Sequence, residues 1–364
     1  MTKFQWTAAR VARLARMGLA ALACAASLAA GAADPQFKIK YAAASPPGSQ
    51  TSVPIVWWAQ EVEKRSNGRI KIEFFWSGSL IKGPDILGAV SKGVVPMGKI
   101  YTVDHTGQMP LHQLVNLPFT SDDVHVIQRV TKDMLDRYPG FRNEFAKSNV
   151  FRLGALATGT VHLLSKKPIK TLKDLQGVSV RARGPQAQVL KSVGAVPVSV
   201  AFGELYEALD RGVIGSTIMY ELSVIPYKFN EIARNFTYVG LGQAMQGEIV
   251  NKDYWEALPA DVRKILQDTM NDAEIWYARS FVEKNRKETK QMMDGAGTPK
   301  VAFYHLPDAD LKRWQKQSQE VYDEWIAQNK KAGNTAEMVK TFRALLAKHE
   351  AEVKSKGYPA MSGQ

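Results

Sequence analysis

Residues 171–216 have the sequence TLKDLQGVSVRARGPQAQVLKSVGAVPVSVAFGELYEALDRGVIGS, which contains two strand–helix units in quick succession. In the first unit, residues 178–181 alternate apolar and polar side chains as a strand does, and Gly184-Pro185 ends the strand and begins a helix. In the second unit, an apolar strand over residues 196–201 precedes a helix over residues 202–211. Alternating strands and helices of this kind predict an α/β fold.

Arg181 lies at the end of the first of these strands, and Arg183 follows two residues later. In open α/β sheets, ligands bind outside the carboxyl ends of the strands and near helix N-termini. A guanidinium at such a place can hold a carboxylate through two parallel hydrogen bonds. The residues alone leave two interpretations open, since Arg181 could equally pair with a neighbouring acid of the protein.

The whole stretch resembles the C4-dicarboxylate-binding (DctP-type) solute receptors of TRAP transporters. In that family a T-x-x-DL-x-G-x-x-x-R run precedes a GA-x-P segment and an E-x-Y-x-AL-x-x-G-x-x-DG run. Residues 171–216 match the three in order and spacing, but the acid of the DG pair is absent. Two further segments are similar to the family, SNGRIKIEFFWSGSL at residues 66–80 and LPF at residues 117–119.

The resemblance implies a two-lobed periplasmic binding protein fold with a hinge. Glycine-bearing segments at residues 158–160 and 240–242 are the candidate crossovers between the lobes. Residues 260–293 contain neither Pro nor Gly and predict a helix of roughly 50 Å, which the resemblance identifies as the long helix that spans both lobes. We expect residues 34–157 with about 244–284 in lobe I, and residues 158–243 with about 285–364 in lobe II.

Residues 1–33 have the pattern of a secretory signal peptide. Basic residues precede an apolar run, and Gly31-Ala32-Ala33 provides a cleavage site. Because the segment contains Lys3, Arg10, Arg13 and Arg16 and no acid, its removal changes the formal net charge from +13 to +9. It also removes Cys24, the only cysteine. We expect a periplasmic protein without disulfides. No block of five like charges occurs, so we expect no nucleic-acid partner.

The sequence contains no common catalytic motif. A G-x-S-x-G elbow, an H-E-x-x-H pair and a phosphate-binding loop are all missing. His105, His112 and the segment DDVH at residues 122–125 lack the convergent spacing of a zinc or calcium site. We therefore expect a binding protein rather than an enzyme, with no cofactor and no metal.

The resemblance also assigns roles to individual residues. It implies that Arg181 pairs with a ligand carboxylate, and that Arg183 is either a second anchor or solvated. Relatives often carry another arginine where this chain has Val161, and this departure favours a ligand with less charge than a dicarboxylate or a sugar acid. Tyr101 and Gln108 lie in a loop that we expect to close from the first lobe.

Further candidates follow the two strand–helix units. The family contacts its ligand from the segment after Gly215, which here contains Met219, Tyr220 and Glu221. The first two would line an apolar pocket, and Glu221 would receive an ammonium or hydroxyl group. The alternative for Met219 and Tyr220 is a place in the core. Phe202 begins the helix after the second strand, so its ring would face the cleft.

The expected function is that of an extracytoplasmic receptor that binds a small organic acid and delivers it to the small and large membrane subunits of a TRAP transporter. We expect a monomer. Two alternatives with the same architecture remain at this point, namely an ABC-type receptor and a sensory solute-binding protein.

Overall fold

The structure is a computed structural model that describes residues 34–362. It confirms the predicted two-lobed α/β fold, with two sheets of six strands each. The predicted signal peptide, residues 1–33, lies outside the described residues. Within residues 34–362, no helix has both the length and the apolar character needed to cross a membrane.

The sheet of the first lobe combines parallel and antiparallel pairs. Its strands are β1 (Phe37–Ala42), β2 (Ile70–Phe75), β3 (Met97–Tyr101), β4 (Val150–Gly154), β5 (Ala157–Thr160) and β11 (Gln243–Asn251). Their order is β2-β1-β3-β11-β4, with β5 paired to β11. β1 is parallel to β2 and β3, as the short helical connections between them predict, whereas β11 is antiparallel to β3 and β4.

The sheet of the second lobe contains the two strand–helix units of residues 171–216. Its strands are β6 (His162–Ser165), β7 (Ser179–Arg181), β8 (Val196–Val198), β9 (Ser216–Met219), β10 (Asn235–Tyr238) and β12 (Ala302–His305). Their order is β12-β10-β6-β9-β7-β8, and β7 is parallel to both β8 and β9. Arg181 is the last residue of β7, so it lies at the carboxyl edge of this sheet, as predicted.

Two crossings between the sheets lie side by side. β5 in the first sheet is followed by β6 in the second after Val161 alone, and the chain returns through residues 239–242. The amide of Val161 donates to the Gly242 carbonyl at 2.8 Å, and the amide of Leu241 donates to the Val161 carbonyl at 2.9 Å. These segments coincide with the predicted glycine-bearing crossovers. Their mutual hydrogen bonds make this pair the natural hinge.

Helices cover both sheets. They are α1 (Val53–Arg65), α2 (Ile86–Ser91), α3 (Val124–Arg137), α4 (Pro139–Lys147), α5 (Gly184–Lys191), α6 (Leu205–Asp210), α7 (Glu221–Val224), α8 (Lys252–Ala257), α9 (Ala260–Asp294), α10 (Asp308–Gln317), α11 (Gln319–Gln328) and α12 (Thr335–Lys356). The 35-residue α9 confirms the predicted long helix. It packs against α1 in the first lobe and α7 in the second.

Aromatic side chains attach α9 to the first lobe. The indole of Trp58 is fully buried and donates to the Leu266 carbonyl at 3.1 Å, while Trp57 stacks on Trp276 with 5.3 Å between ring centroids. Further along the helix, Phe281 lies over Gly159 of the hinge. The helix is therefore a brace that extends from the first lobe past the hinge.

The packing of the C-terminal helix α12 differs from the division into lobes that the sequence predicted. Residues 285–364 were expected in the second lobe, but α12 packs against α3 of the first. His349 contacts Asp133 at 2.9 Å, and the hydroxyl of Tyr138 donates to Thr341 at 2.8 Å. The apolar face of α12 was visible in the sequence, but which partner covers it depends on tertiary packing.

We predict that the hinge does not tolerate a side chain at Gly242. This residue has φ of +79°, and a Cβ there would lie 2.3 Å from the Leu117 carbonyl oxygen. Gly242→Ala should lower the free energy of unfolding by about 2–4 kcal/mol, through left-handed strain and overpacking. Gly177→Ala is the matched control, since φ is +74° but the space around it is open, and it should cost about 1 kcal/mol. Urea unfolding measures both, and equal losses would contradict the role of the Leu117 contact.

Candidate functional site

The site is organised around a buried guanidinium. Arg181 is 6% exposed, and its Nε donates to the Val200 carbonyl at 3.1 Å. Its Nη2 is buried and has no hydrogen-bond partner within residues 34–362. Burial and, to a smaller degree, the charge of Arg183 lower the pKa of Arg181 to about 10. The group is therefore still cationic at neutral pH, with hydrogen-bonding capacity that the protein leaves unused.

Aromatic rings adjoin this cation. The ring centroid of Phe202 lies 5.9 Å from the Cζ of Arg181, which is a cation–π distance. Tyr227 contacts Phe202 edge-on at 4.8 Å, and its hydroxyl reaches across to Ser49 of the first lobe. Arg181 therefore lies beside an aromatic wall at the junction of the two lobes.

More tyrosines come together at the same junction. Burial raises the pKa of Tyr220 well above its usual value, and Tyr101, Tyr227 and Tyr277 are near enough to raise it further. The hydroxyl of Tyr277 donates to the Ala157 carbonyl at 2.7 Å, which leaves this ring fixed beside the hinge. The sequence predicted Phe202 and Tyr101 as contributors to the cleft and left either the pocket or the core for Tyr220. The structure brings the three into one neighbourhood, where Tyr220 is partly buried and packs against the apolar core.

A buried lysine supports the first-lobe loop of residues 43–52. Lys99 on β3 donates to the Thr51 carbonyl at 2.5 Å and to the Ser45 hydroxyl at 3.3 Å. It lies across from Glu248 in the pairing of β3 with β11, and Glu248 accepts a hydrogen bond from Tyr41. Burial lowers the pKa of Lys99 to about 8 and raises that of Glu248 to about 7. The buried polar network of Lys99, Glu248 and Tyr41 thus holds the loop that carries Ser49 in place.

Arg183 joins the two lobes. Its guanidinium pairs with Asp104 of the first lobe at 2.5 Å, and the two side chains are 29% and 22% exposed. Nearby, the side-chain amide Nε2 of Gln186 donates to the backbone carbonyl of Asn116, also in the first lobe, at 2.9 Å. Arg183 was expected to be a second ligand anchor or a solvated residue, and the structure instead gives it a carboxylate partner. We refer to the Arg183–Asp104 pair as the interlobe pair.

The remaining sequence candidates lie elsewhere. Met219 is 2% exposed and belongs to the apolar core of the second lobe, which is the alternative that the sequence left open. Glu221 lines a different cavity, together with His162 and Tyr238. Gln108 is exposed, and its side chain makes no hydrogen bond to the rest of residues 34–362. None of these three side chains is among the neighbours of Arg181 described above. A ligand contact by any of them remains a prediction.

The histidines that were weighed as metal ligands have other surroundings. His112 is buried and contacts Glu144 at 2.6 Å. In the described part of the chain, no three potential metal-ligating side chains come together.

Sequence reasoning missed several residues of the junction. Tyr227 lies in a turn and Tyr277 in the middle of α9. Ser49 lies in a loop, and Asp104 lies in a short 3-10 helix. None of them belongs to a motif, and their sequence separation from Arg181 hides their proximity. The one usable signal was the small polar run around Ser49, which is typical of a loop that approaches a ligand.

Comparison with known proteins gives a consistent result. Residues 42–329 match the family described as bacterial extracellular solute-binding protein, family 7. The C4-dicarboxylate-binding periplasmic protein DctP of Rhodobacter capsulatus is 26% identical over 266 residues, which cover 72% of this chain and 78% of that protein.

Solved structures share the fold. A TRAP solute-binding protein from Rhodoferax ferrireducens, in complex with copurified benzoate, aligns with a TM-score of 0.79 and 23% identity over 86% of this chain and 99% of that one. A marine metagenome TRAP solute-binding protein specific for aromatic acid ligands, crystallised with 3-hydroxybenzoate, has a TM-score of 0.79 and 21% identity over 87% and 100%.

We predict that the interlobe pair favours contact between the lobes. Asp104→Asn removes the charge of one partner, and a partly exposed ion pair contributes about 0.5–1 kcal/mol. The ratio of open to closed molecules should then rise about two- to fivefold. Small-angle X-ray scattering of the ligand-free chain should show a larger radius of gyration.

The matched control for this prediction is Glu207→Gln, which breaks the exposed Arg211–Glu207 pair within the second lobe. That change should leave the scattering curve as it is in the wild type. Indistinguishable curves for Asp104→Asn and Glu207→Gln would mean that the interlobe pair does not influence the arrangement of the lobes.

Proposed function

Because the chain belongs to family 7 of the bacterial extracellular solute-binding proteins, we propose that it is a periplasmic receptor whose cleft at Arg181 binds a small organic carboxylate. The bound acid is then delivered to a TRAP-type membrane transporter with a small and a large integral subunit. The family is one of solute-binding receptors, and the proposed role involves no catalysis.

The unpaired guanidinium of Arg181 is the single observation that carries this proposal. A buried guanidinium without a carboxylate partner is costly, because the Val200 carbonyl and the Phe202 ring replace only part of the hydration that burial removes. A ligand carboxylate that accepts from Nη2 would restore a charge-assisted hydrogen bond at a place where the protein has none. An arginine with a purely structural role would be expected to have a carboxylate of the protein in that position.

The surroundings support a monocarboxylate with an aromatic or apolar body. Arg183 is engaged by Asp104, and Val161 occupies the place of a second family arginine, so a second ligand charge would lack a partner. Phe202 and the tyrosines offer ring faces and edges instead. The benzoate and 3-hydroxybenzoate bound by two proteins of the same fold agree with this choice, whereas the Rhodobacter relative is named for C4-dicarboxylates.

Binding would also couple to closure. The second lobe contributes Arg181 and Phe202. The first lobe contributes Tyr101 and the loop of residues 43–52, which includes Ser49. A ligand that contacts both sets favours the closed arrangement by its difference in affinity for the two states. The membrane subunits would then distinguish loaded from empty receptor by its shape.

We predict that Arg181→Met abolishes most of the affinity without weakening the fold. A thermal-shift screen of residues 34–364 against aromatic acids, monocarboxylates, dicarboxylates, amino acids and sugar acids first identifies the best ligand. Arg181→Met should then bind that ligand about 100-fold more weakly by calorimetry, since a hydrogen bond to a charged group contributes about 1.5–3 kcal/mol. The ligand-free variant should melt no lower than the wild type, because the change removes an uncompensated buried charge.

Arg211→Ala controls for the loss of one positive charge from the second lobe, since the Arg211 side chain is 74% exposed. It should bind like the wild type. Equal affinities of Arg181→Met and wild type for the same acid would remove the carboxylate role of Arg181 and the proposal with it.

We predict that Phe202 sets a preference for aromatic acids. Phe202→Leu should weaken benzoate binding by about two- to tenfold, the equivalent of an aromatic contact of about 0.5–1.5 kcal/mol, and should change propionate binding much less. Phe303→Leu, which alters a half-buried ring on β12 of the same sheet, is the control. If benzoate and propionate lose affinity equally in Phe202→Leu, the ring acts on the carboxylate pairing and not on the body of the ligand.

A further inference from the structure

A second cavity lies against the hinge, apart from the residues around Arg181. Its volume is about 440 Å³, and its walls include Thr160, His162 and Gly240 of the two crossings, together with Phe281 of α9. Neither Arg181 nor any aromatic residue that adjoins it lines this cavity. The cavity is large enough for a small organic molecule and forms no part of the proposed carboxylate site.

Two carboxyl groups line this cavity, together with hydroxyl and amide side chains that can both donate and accept. Glu221 is 7% exposed, and burial raises the pKa of its carboxyl to about 7. Asp122 accepts a hydrogen bond from Thr160 at 2.6 Å through one carboxylate oxygen. The Oδ1 of Asn285 and the Oγ1 of Thr120 are buried and have no partner among the described residues. The site therefore holds two carboxyl groups and further oxygen atoms whose hydrogen-bonding capacity is unused.

His162, one of the two histidines in the wall, does not neutralise these carboxyl groups. His162 Nδ1 accepts hydrogen bonds from the amides of Val239 and Gly240, both at 3.1 Å, so the ring proton is on Nε2. Burial and the nearby His305 lower the pKa of His162 to about 3, so the ring is neutral. No lysine or arginine is among the described residues that line the cavity. This acidic interior contrasts with the net positive charge of the chain.

Aromatic faces complete the cavity. Phe119, Phe281 and Tyr238 all line it, and Tyr238 stacks on His305 with 4.8 Å between ring centroids. Aromatic faces attract organic cations through their negative π surface. Carboxyl groups beside several rings, without a lysine or arginine among the described lining residues, are a combination that suits an ammonium group and repels an anion.

We propose that this hinge cavity is a second binding site, and that its ligand is a small organic cation, an alkylammonium or quaternary ammonium ion. The charged head would lie near Glu221 and Asp122, with its alkyl groups against Phe281 and Tyr238. A metal ion suits the site less well, because residues 34–362 do not assemble three metal-ligating side chains here. Since the walls come from both lobes and both crossings, an occupant would also contact the elements that move at the hinge.

The test uses tetramethylammonium chloride and residues 34–364. Saturation-transfer NMR on the methyl signal detects binding, and a titration gives the dissociation constant. Potassium chloride at equal ionic strength and tert-butanol, a neutral molecule of similar shape, are the ligand controls. We expect saturation transfer to tetramethylammonium that persists in the presence of potassium chloride, and none to tert-butanol.

Two variants locate the site. Glu221→Gln removes a carboxyl group, and Gln315→Lys places a positive charge on an exposed residue of the cavity rim. Each should weaken tetramethylammonium binding by about tenfold, which corresponds to about 1.4 kcal/mol. Gln317→Lys is the matched control, because it adds the same charge to the same helix at an exposed residue that does not line the cavity. It should change the affinity less than twofold.

Any result other than these expected ones contradicts the proposal. Absence of saturation transfer means that the cavity does not take the cation. Equal affinities for Gln315→Lys and Gln317→Lys mean that the cation binds elsewhere, and this comparison stands even if Glu221→Gln does not fold. Loss of cation binding in Arg181→Met would place it in the carboxylate cleft. Arg181→Met also separates the two proposals. If this variant loses affinity for the carboxylate but keeps its affinity for tetramethylammonium, the hinge site is unaffected.

Discussion

A guanidinium that is buried without a carboxylate is the constraint on which the rest of the molecule depends. The Val200 carbonyl and the Phe202 ring offset only part of the free energy lost when Arg181 leaves water, because Nη2 stays without a hydrogen-bond partner among residues 34–362. Folding tolerates this because the apolar cores of both lobes stabilise the strand that ends at Arg181. In the proposed function, a ligand carboxylate supplies the missing counter-ion, so binding would offset a desolvation cost that folding leaves in place.

In the proposed function, the fold would convert that local effect into a change of shape. The two crossings are hydrogen-bonded to each other, and α9 runs past them from one lobe to the other. In the proposed function, relative motion of the lobes would be confined to a narrow strip that contains Gly159 and Gly242. Both glycines have positive φ and closely approaching neighbours, so the strip is conformationally defined even though it is the part that must bend.

The regular elements could be predicted because local patterns determine them. Helix α9 follows from a long run without Gly or Pro, and the position of Arg181 follows from a short alternating strand that ends in a glycine and a proline. The site could be predicted only in part. Met219 and Tyr220 are neighbours in sequence, and which of them faces the core depends on strand register and not on composition. Tyr277 and Asp104 reach the junction through tertiary packing, and the same is true of the partner of α12.

The interlobe pair has a consequence for the medium in which the receptor works. Asp104 and Arg183 are partly exposed, so dissolved ions reach them and weaken their attraction, with a screening length of about 10 Å at 0.1 M salt. The contacts around Tyr277 and Phe281 are apolar or buried and are insensitive to salt. In the proposed function, a rise in salinity would therefore shift the ligand-free receptor toward the open arrangement of its lobes.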